Sequence, residues 1–322
     1  MISLYPLKFE PILKEKIWGG QKLHRVLNKK SDLPNIGESW EVSDVEEDVS
    51  IVSNGLLKNK SLSSLLKKYK EELVGNKNYK IFGDKFPLLI KFIDAHKDLS
   101  VQLHPNDELA KERHNSFGKT EMWYIMQADN DSNLIIDFKD NITKEDYLNH
   151  LESKTLPEIL NFEKVNNQDA YFIEVGRIHA ICSGVLLAEI QQTSDVTYRV
   201  FDWDREDTEG SKRELHIDKA LDAIDFSMVK DYKLDYSKKE NKSNLIKSCN
   251  YFTTNFIKIN TTLNKKNTFD SFLVYMCMSG EVIVSVNQIN YNLKKGETIL
   301  IPASINNFSL ESKNAELLEV YV

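Results

Sequence analysis

Apolar residues in this chain come in short runs separated by turn residues, and that grouping excludes most folds at once. Residues 86–93 are densely apolar and carry one charge, Lys91. The polar stretch 94–98 follows as a turn. Residues 99–104 then resume the strand pattern until Pro105, which has no N–H to give a central ladder. Residues 121–126, 171–175 and a long run, 186–200, repeat the pattern. Many short strands with turns between them predict a mainly β sandwich or barrel rather than an α/β fold.

Helical punctuation interrupts the strands. Ser61 is placed to cap a helix whose apolar face is Leu62, Leu65, Leu66, Tyr69 and Leu73, with Gly75 as the stop. Thr143 is placed to cap a second helix carrying Tyr147, Leu148 and Leu151, and a third pattern runs through Ile217, Ala220, Leu221 and Ile224. The first two predict a helical insert on a β core. Residues 231–248 are Lys-rich, polar and weakly patterned, and read as a boundary. They divide the chain into a metal-binding domain, 1–235, and a second domain, 236–322. In the latter, residues 272–278, 281–286, 289–293 and 298–301 read as short strands, with turns at Gly280 and Gly296. This run resembles a small cupin-type barrel. It has no histidine after His216, so it is read as a structural or lid domain without metal ligands. Two cupin-type (jelly-roll) barrels, the first bearing the helical insert, are the expected architecture.

The 322 residues suffice for two domains with real cores. A net charge of -7 argues against a nucleic-acid partner, because phosphate backbones need clustered Lys and Arg. No apolar run approaches the length that crosses a bilayer, so no membrane partner is expected. The opening Met1-Ile2-Ser3-Leu4-Tyr5-Pro6 lacks the basic start and apolar run of a signal peptide. Cys182, Cys249 and Cys277 are odd in number and widely spaced, which fits reduced thiols and a cytoplasmic protein.

Strand alternation picks out the chemistry. Gln102 and His104 share one face of their strand, and Lys119, Glu121 and Trp123 share another. Asp195, Thr197 and Arg199 do the same, with Gln191 and Thr193 further back. Each strand puts polar groups where a core wants apolar ones, which predicts a binding cavity inside the barrel. Two imidazoles, an amide and a carboxylate (His104, His179, Gln102 and Glu121) can form a first shell for a divalent metal such as zinc. Each residue also has a plainer reading. Glu121 could be an ordinary partner of Lys119, Arg199 could neutralise Asp195, and Trp123 and Trp203 could simply pack. Cys182 reads as a small buried hydrophobe. His24, His96, His114, His150 and His216 stay unassigned.

Six ordered stretches carry a family resemblance. They are Trp18-Gly19-Gly20, Gly37-Glu38-Ser39-Trp40-Glu41, Ser100-Val101-Gln102-Leu103-His104-Pro105-Asn106-Asp107, Lys119-Thr120-Glu121-Met122-Trp123-Tyr124, Gly176-Arg177-Ile178-His179-Ala180, and the run from Leu187 to Arg199. Over roughly its first two-thirds the chain resembles type I mannose-6-phosphate isomerases in their short bacterial form. The resemblance implies a zinc-dependent aldose–ketose isomerase that interconverts mannose 6-phosphate and fructose 6-phosphate through an enediol. It implies that Gln102, His104, Glu121 and His179 bind the metal, that Arg199 is catalytic, and that Lys119 and Asp195 line the active site. Lys119, Asp195 or a metal-bound water are the candidates for proton transfer. Arg177 departs from the smaller residue expected at that turn, and either adds a phosphate contact or points to solvent. Two rival readings remain: a non-haem iron oxygenase, which also uses two His and a carboxylate, and a non-catalytic sugar-phosphate-binding cupin.

Overall fold

The structure, a computed structural model, describes residues 2–206, 209–227 and 231–322. Met1, the first residue of the segment read for a signal peptide, lies outside them. The protein is mainly β. A seven-stranded sheet runs in the order Ile12–Gly20, Ile36–Val42, Leu88–Ala95, Val185–Gln192, Glu121–Ala128, Ala170–Ile173, Lys233–Leu234. A five-stranded sheet runs Tyr198–Phe201, Val101–Leu103, His179–Ile181, Asn133–Phe138, Leu160–Lys164. The last third of the chain builds an eight-stranded sheet around Leu273–Val286. No helix among the described residues is long and apolar enough to cross a membrane.

The seven-stranded sheet is buried on both faces, which is why its central strands read as nearly continuous apolar runs. One face carries Ile93, Trp123, Ile125, Val185 and Leu187, packed against Leu134, Ile136 and Ile181 of the five-stranded sheet. The other carries Leu88, Ile90, Phe92, Met122, Tyr124, Ala188 and Ile190. It packs on Phe256, Val274, Met276 and Leu318 of the C-terminal sheet. Period-two alternation assigns each side chain to one cluster or the other.

Three expectations change. The run 186–200 is two strands in two sheets: Val185–Gln192 belongs to the seven-stranded sheet and Tyr198–Phe201 to the five-stranded one. Residues 193–197 cross between them. Polar side chains there stabilise the crossing, with the Gln191 amide donating to Gln192 O and Ser194 O. Gly280 does not end a strand. Leu273–Val286 continues through it, with a register slip between Cys277 and Ser279. Gly280 sits at φ 74°, and a Cβ there would come within 2.2 Å of Asn314 O, so only glycine allows this bend.

The helices, finally, are not gathered in one insert. Leu62–Tyr69, capped by Ser61, joins the cluster facing the C-terminal sheet. The predicted continuation to Leu73 breaks at Lys70 (φ 47°) and resumes as Glu71–Val74, whose Leu73 O accepts from Ala303 N. Lys144–Glu152 begins with a capping box of Thr143 and Asp146. It buries Tyr147 on the far side of the five-stranded sheet.

Candidate active site

Between the seven-stranded and five-stranded sheets the buried face turns from apolar to polar along the strands. Directly along their strands from Ile93, Trp123 and Leu187 lie Lys91, Glu121 and Glu189. Opposite them, in the five-stranded sheet, His179 pairs with Gln102 and Gln102 with Arg199, so these three form a row across neighbouring strands. A cavity of about 290 Å³ opens between the sheets. Gln102, Lys119, His179, Asp195, Thr197 and Arg199 line it, together with Trp18, Glu38, Lys91, Trp123 and Glu189.

His104, Glu121 and His179 are buried, with one ligand atom from each within 4.8 Å of the others, and of the three His179 lines the cavity. His104 Nδ1 lies 2.9 Å from Val196 O, and His179 Nδ1 lies 2.9 Å from Arg177 O. A carbonyl only accepts, so each Nδ1 carries the proton and each Nε2 the lone pair. Both Nε2 atoms face Glu121 Oε1, at 2.9 and 3.3 Å. Glu121 Oε1 and His179 Nε2 have no hydrogen-bond partner. Lys119 Nζ answers the His104 lone pair, but the His179 lone pair and Glu121 Oε1 stay unanswered, which is costly unless a cation sits between them. The donor set therefore fits a divalent metal.

Burial, the largest influence, pushes His104 well below the usual imidazole range, and the Lys119 ammonium adds to this. Burial likewise brings His179 down to about 3, against the pull of Glu121. Both stay neutral, as metal ligands must. Burial alone would raise Glu121, but the adjacent Lys119 ammonium, with Lys91 further off, holds the carboxyl below its usual range. Lys119 Nζ is 3.0 Å from His104 Nε2 and 3.3 Å from Glu121 Oε2, so Glu121 is both a salt-bridge partner and a candidate ligand.

Sequence reasoning assigned no role to a second charged group beside this one. Lys91 Nζ lies 3.1 Å from Glu189 Oε1, and Trp123 Nε1 donates to Glu189 Oε2 at 2.8 Å. Trp40 Nε1 holds Glu38 Oε2 at 2.6 Å, and Lys16 reaches Glu38 Oε1 at 3.2 Å. One buried cation serves two carboxylates. Burial opposes the Lys91 charge, yet Glu189 and Glu38 hold its pKa above the usual lysine value. Glu189 is raised by burial and by the nearby Glu121 charge. The lone lysine in residues 86–93 was the visible trace of this group.

Arg199 does not neutralise Asp195. Its Nε donates to Ser100 Oγ at 3.3 Å and its Nη1 to Glu214 O at 2.9 Å. Burial and the charge of Arg213, which also lines the cavity, lower its pKa. Thr193 does not line the cavity, because the strand ends at Gln192 and the alternation that placed it ends there. Gln191 is still on the strand, but its amide is taken by Gln192 O and Ser194 O and it does not line the cavity either. Arg177 neither reaches the cavity nor points to solvent. It is 7% exposed, lies beside Asp137, Glu174 and Asp231, and stacks over Tyr232.

Known proteins can now be set beside this geometry. A family model described as phosphomannose isomerase type I, catalytic domain, matches residues 6–133. One described as mannose-6-phosphate isomerase, cupin domain, matches residues 241–322. A probable mannose-6-phosphate isomerase of Bacillus subtilis is 35% identical over 95% of this chain and 96% of its own. This chain belongs to the type I mannose-6-phosphate isomerase family. Another member, from Streptococcus mutans, is 30% identical over 95% of each chain. The crystal structure of the mannose 6-phosphate isomerase from Bacillus subtilis superposes with a TM-score of 0.91 at 31% identity, covering 99% of this chain and 100% of that one. A phosphomannose isomerase from Salmonella typhimurium, at 15% identity and TM-score 0.77, shares the fold over 98% of this chain and 99% of its own. Membership of the isomerase family thus spans both the cavity-bearing unit and the C-terminal sheet.

Proposed function

We propose that this chain interconverts mannose 6-phosphate and fructose 6-phosphate at a zinc ion held by His104, Glu121, His179 and Gln102. The observation that supports it most is the convergence of two imidazole lone pairs on the unpartnered Glu121 Oε1, beside Lys119, in a family of named isomerases. Gln102 joins the set because its cross-strand pairing with His179 puts both on the cavity face. Zinc bound there supplies Lewis-acid polarisation of the sugar's oxygens.

The chain's own residues account for the remaining steps. We assign to Lys119, acting as the neutral amine, the uptake of the C2 proton of the open-chain sugar and its return to C1 through an enediol. Asp195, on the cavity wall, is placed to move the proton that ring opening requires. Arg199 and Arg213 bring two like charges to the same cavity, which favours an anion between them. We assign that end to the phosphate, with Arg199 also stabilising charge on the enediol.

We further read the molecule as two jelly-roll units, 1–235 and 236–322. The change of sheet between Lys233–Leu234 and Asn244–Ser248 supports this division. The unbridged Cys182, Cys249 and Cys277 support work in the reducing cytoplasm. The test is conversion of mannose 6-phosphate by purified protein before and after chelation, with zinc add-back. Activity lost on chelation and restored by zinc is expected. Metal-loaded protein without turnover would overturn the substrate assignment.

A further inference from the structure

Lys119 lies outside the sheet. The strand begins at Glu121, and residues 117–120 have no ladder of their own. What fixes the proposed proton carrier therefore comes from outside the ladder, and two residues supply it. Asp107 Oδ1 accepts from Gly118 N at 2.8 Å. Gln192 Oε1 accepts from Thr120 N at 2.9 Å, while Gln192 N donates to Thr120 O at 3.2 Å. Lys119 thus sits between two amides, each anchored by a side chain from a distant segment. The anchors are also joined to each other, because Gln192 Nε2 donates to Asp107 Oδ1 at 3.0 Å. The approach is close. A Cβ on Gly118 would meet Asp107 N at 2.8 Å and Asp107 Oδ1 at 3.0 Å.

The other oxygen of Asp107 faces the C-terminal unit. Tyr251 Oη, in the hairpin between Asn244–Ser248 and Thr253–Ile259, donates to Asp107 Oδ2 at 2.9 Å. Asp107 thus accepts from the Lys119 segment and from Gln192 through one oxygen and from the C-terminal sheet through the other. We propose that Asp107 and Gln192 are positioning residues that clamp residues 118–120, and that Tyr251 couples this clamp to the C-terminal unit. That gives the C-terminal sheet a part in the chemistry although it contributes no residue to the cavity lining. The proposal rests on the isomerase reading for the role of Lys119, but the clamp also sets where Glu121 meets the metal, and that is measurable without turnover.

The experiment uses the full chain, with mannose 6-phosphate kinetics, zinc affinity by competition with a chromophoric chelator, and thermal unfolding. Asp107→Ala should lower kcat about 10²-fold at near-constant KM, the usual cost of a displacement of about 1 Å at a reacting group. It should weaken zinc binding roughly 10-fold or more, as loss of a supporting contact does. Asp107→Asn keeps an acceptor for Gly118 N and should recover kcat to within about ten-fold of wild type. Tyr251→Phe should lower kcat about five-fold, the worth of one net hydrogen bond. Combined with Asp107→Ala it should add nothing further, since both act through one contact. Wild-type kcat and zinc affinity in folded Asp107→Ala, with only the melting temperature reduced, would overturn the clamp. If Asp107→Ala does not fold, wild-type kcat and zinc affinity in Tyr251→Phe would overturn the coupling. Should the wild type bind zinc but not turn over mannose 6-phosphate, the isomerase reading fails. Zinc affinities of the variants then decide the clamp alone.

Discussion

The N-terminal sheets and the C-terminal sheet each bury a glutamate among polar side chains, and the two glutamates differ in one respect. Glu319, on Ala315–Tyr321 of the C-terminal sheet, has every acceptor position engaged. Ser243 and Asn255 donate to Oε1, and Tyr275 and Lys265 to Oε2, at 2.6 to 3.0 Å. Glu121 faces two imidazole lone pairs with an oxygen that accepts nothing. Burial and a neighbouring lysine act on both, and in both the lysine wins. A satisfied carboxylate stiffens a fold; an unsatisfied one among electron-pair donors awaits a ligand. Burial and a neighbouring lysine are common to the two glutamates; what separates them is that one carboxylate has all its acceptor positions filled and the other does not.

The sharpest way to break this contrast is Glu121→Ala. It should lower turnover of mannose 6-phosphate roughly 10³-fold or more and abolish tight zinc retention, since it removes a ligand and its charge together. Turnover near wild type would place the metal elsewhere. Lys119→Met should come next, costing on the order of 10²–10³ in kcat while zinc stays bound, because only proton transfer is lost. Equal losses of activity and metal would make Lys119 a support for the ligands instead. On the other side, Lys265→Met leaves Glu319 buried without its cation and should destabilise the protein by about 3 kcal/mol in urea titration. Turnover per folded molecule should be unchanged, and a matching fall in kcat would blur the distinction.

The smallest effect is in acid. Burial would raise the Glu319 carboxyl, but Lys265 and its hydrogen-bond donors hold it below its ordinary 4.5. A depressed folded pKa means the contribution is complete above pH 4.5 and fades as pH falls through the folded value. The gap in unfolding free energy between wild type and Glu319→Gln should therefore narrow below that pH. A gap independent of pH would show that Glu319 is not ionised in the folded protein.

Much of the site was legible because its residues sit in short, locally patterned strands. Gln102 follows Val101 on a strand before Pro105, and Glu121 and Trp123 alternate onto one face of theirs, whereas Lys119 precedes that strand and the full donor set came only from the family resemblance. Lys91 was visible as one charge in an apolar run, but its partners were not. Glu38 and Glu189 lie on the strands either side of it, and only the sheet order brings them together. Misreadings arose where alternation was extended past a point at which the backbone changes course. Read as one strand, residues 186–200 put Thr193 in the cavity, and Gly280 reads as a turn because a bend in a long strand and the end of a short one need the same residue.

The sequence by itself determined what is local: strand faces, the caps at Ser61 and Thr143, and the identity of the donors that meet at His104, Glu121 and His179. Tertiary structure alone decided which polar groups found partners. Tyr251 reaches Asp107 across 144 positions, and Arg177 is drawn away from the cavity by Asp137 and Asp231. Alternation and capping follow from the geometry of neighbouring residues. Satisfaction of a buried charge depends on groups that only the folded chain brings within about 3 Å.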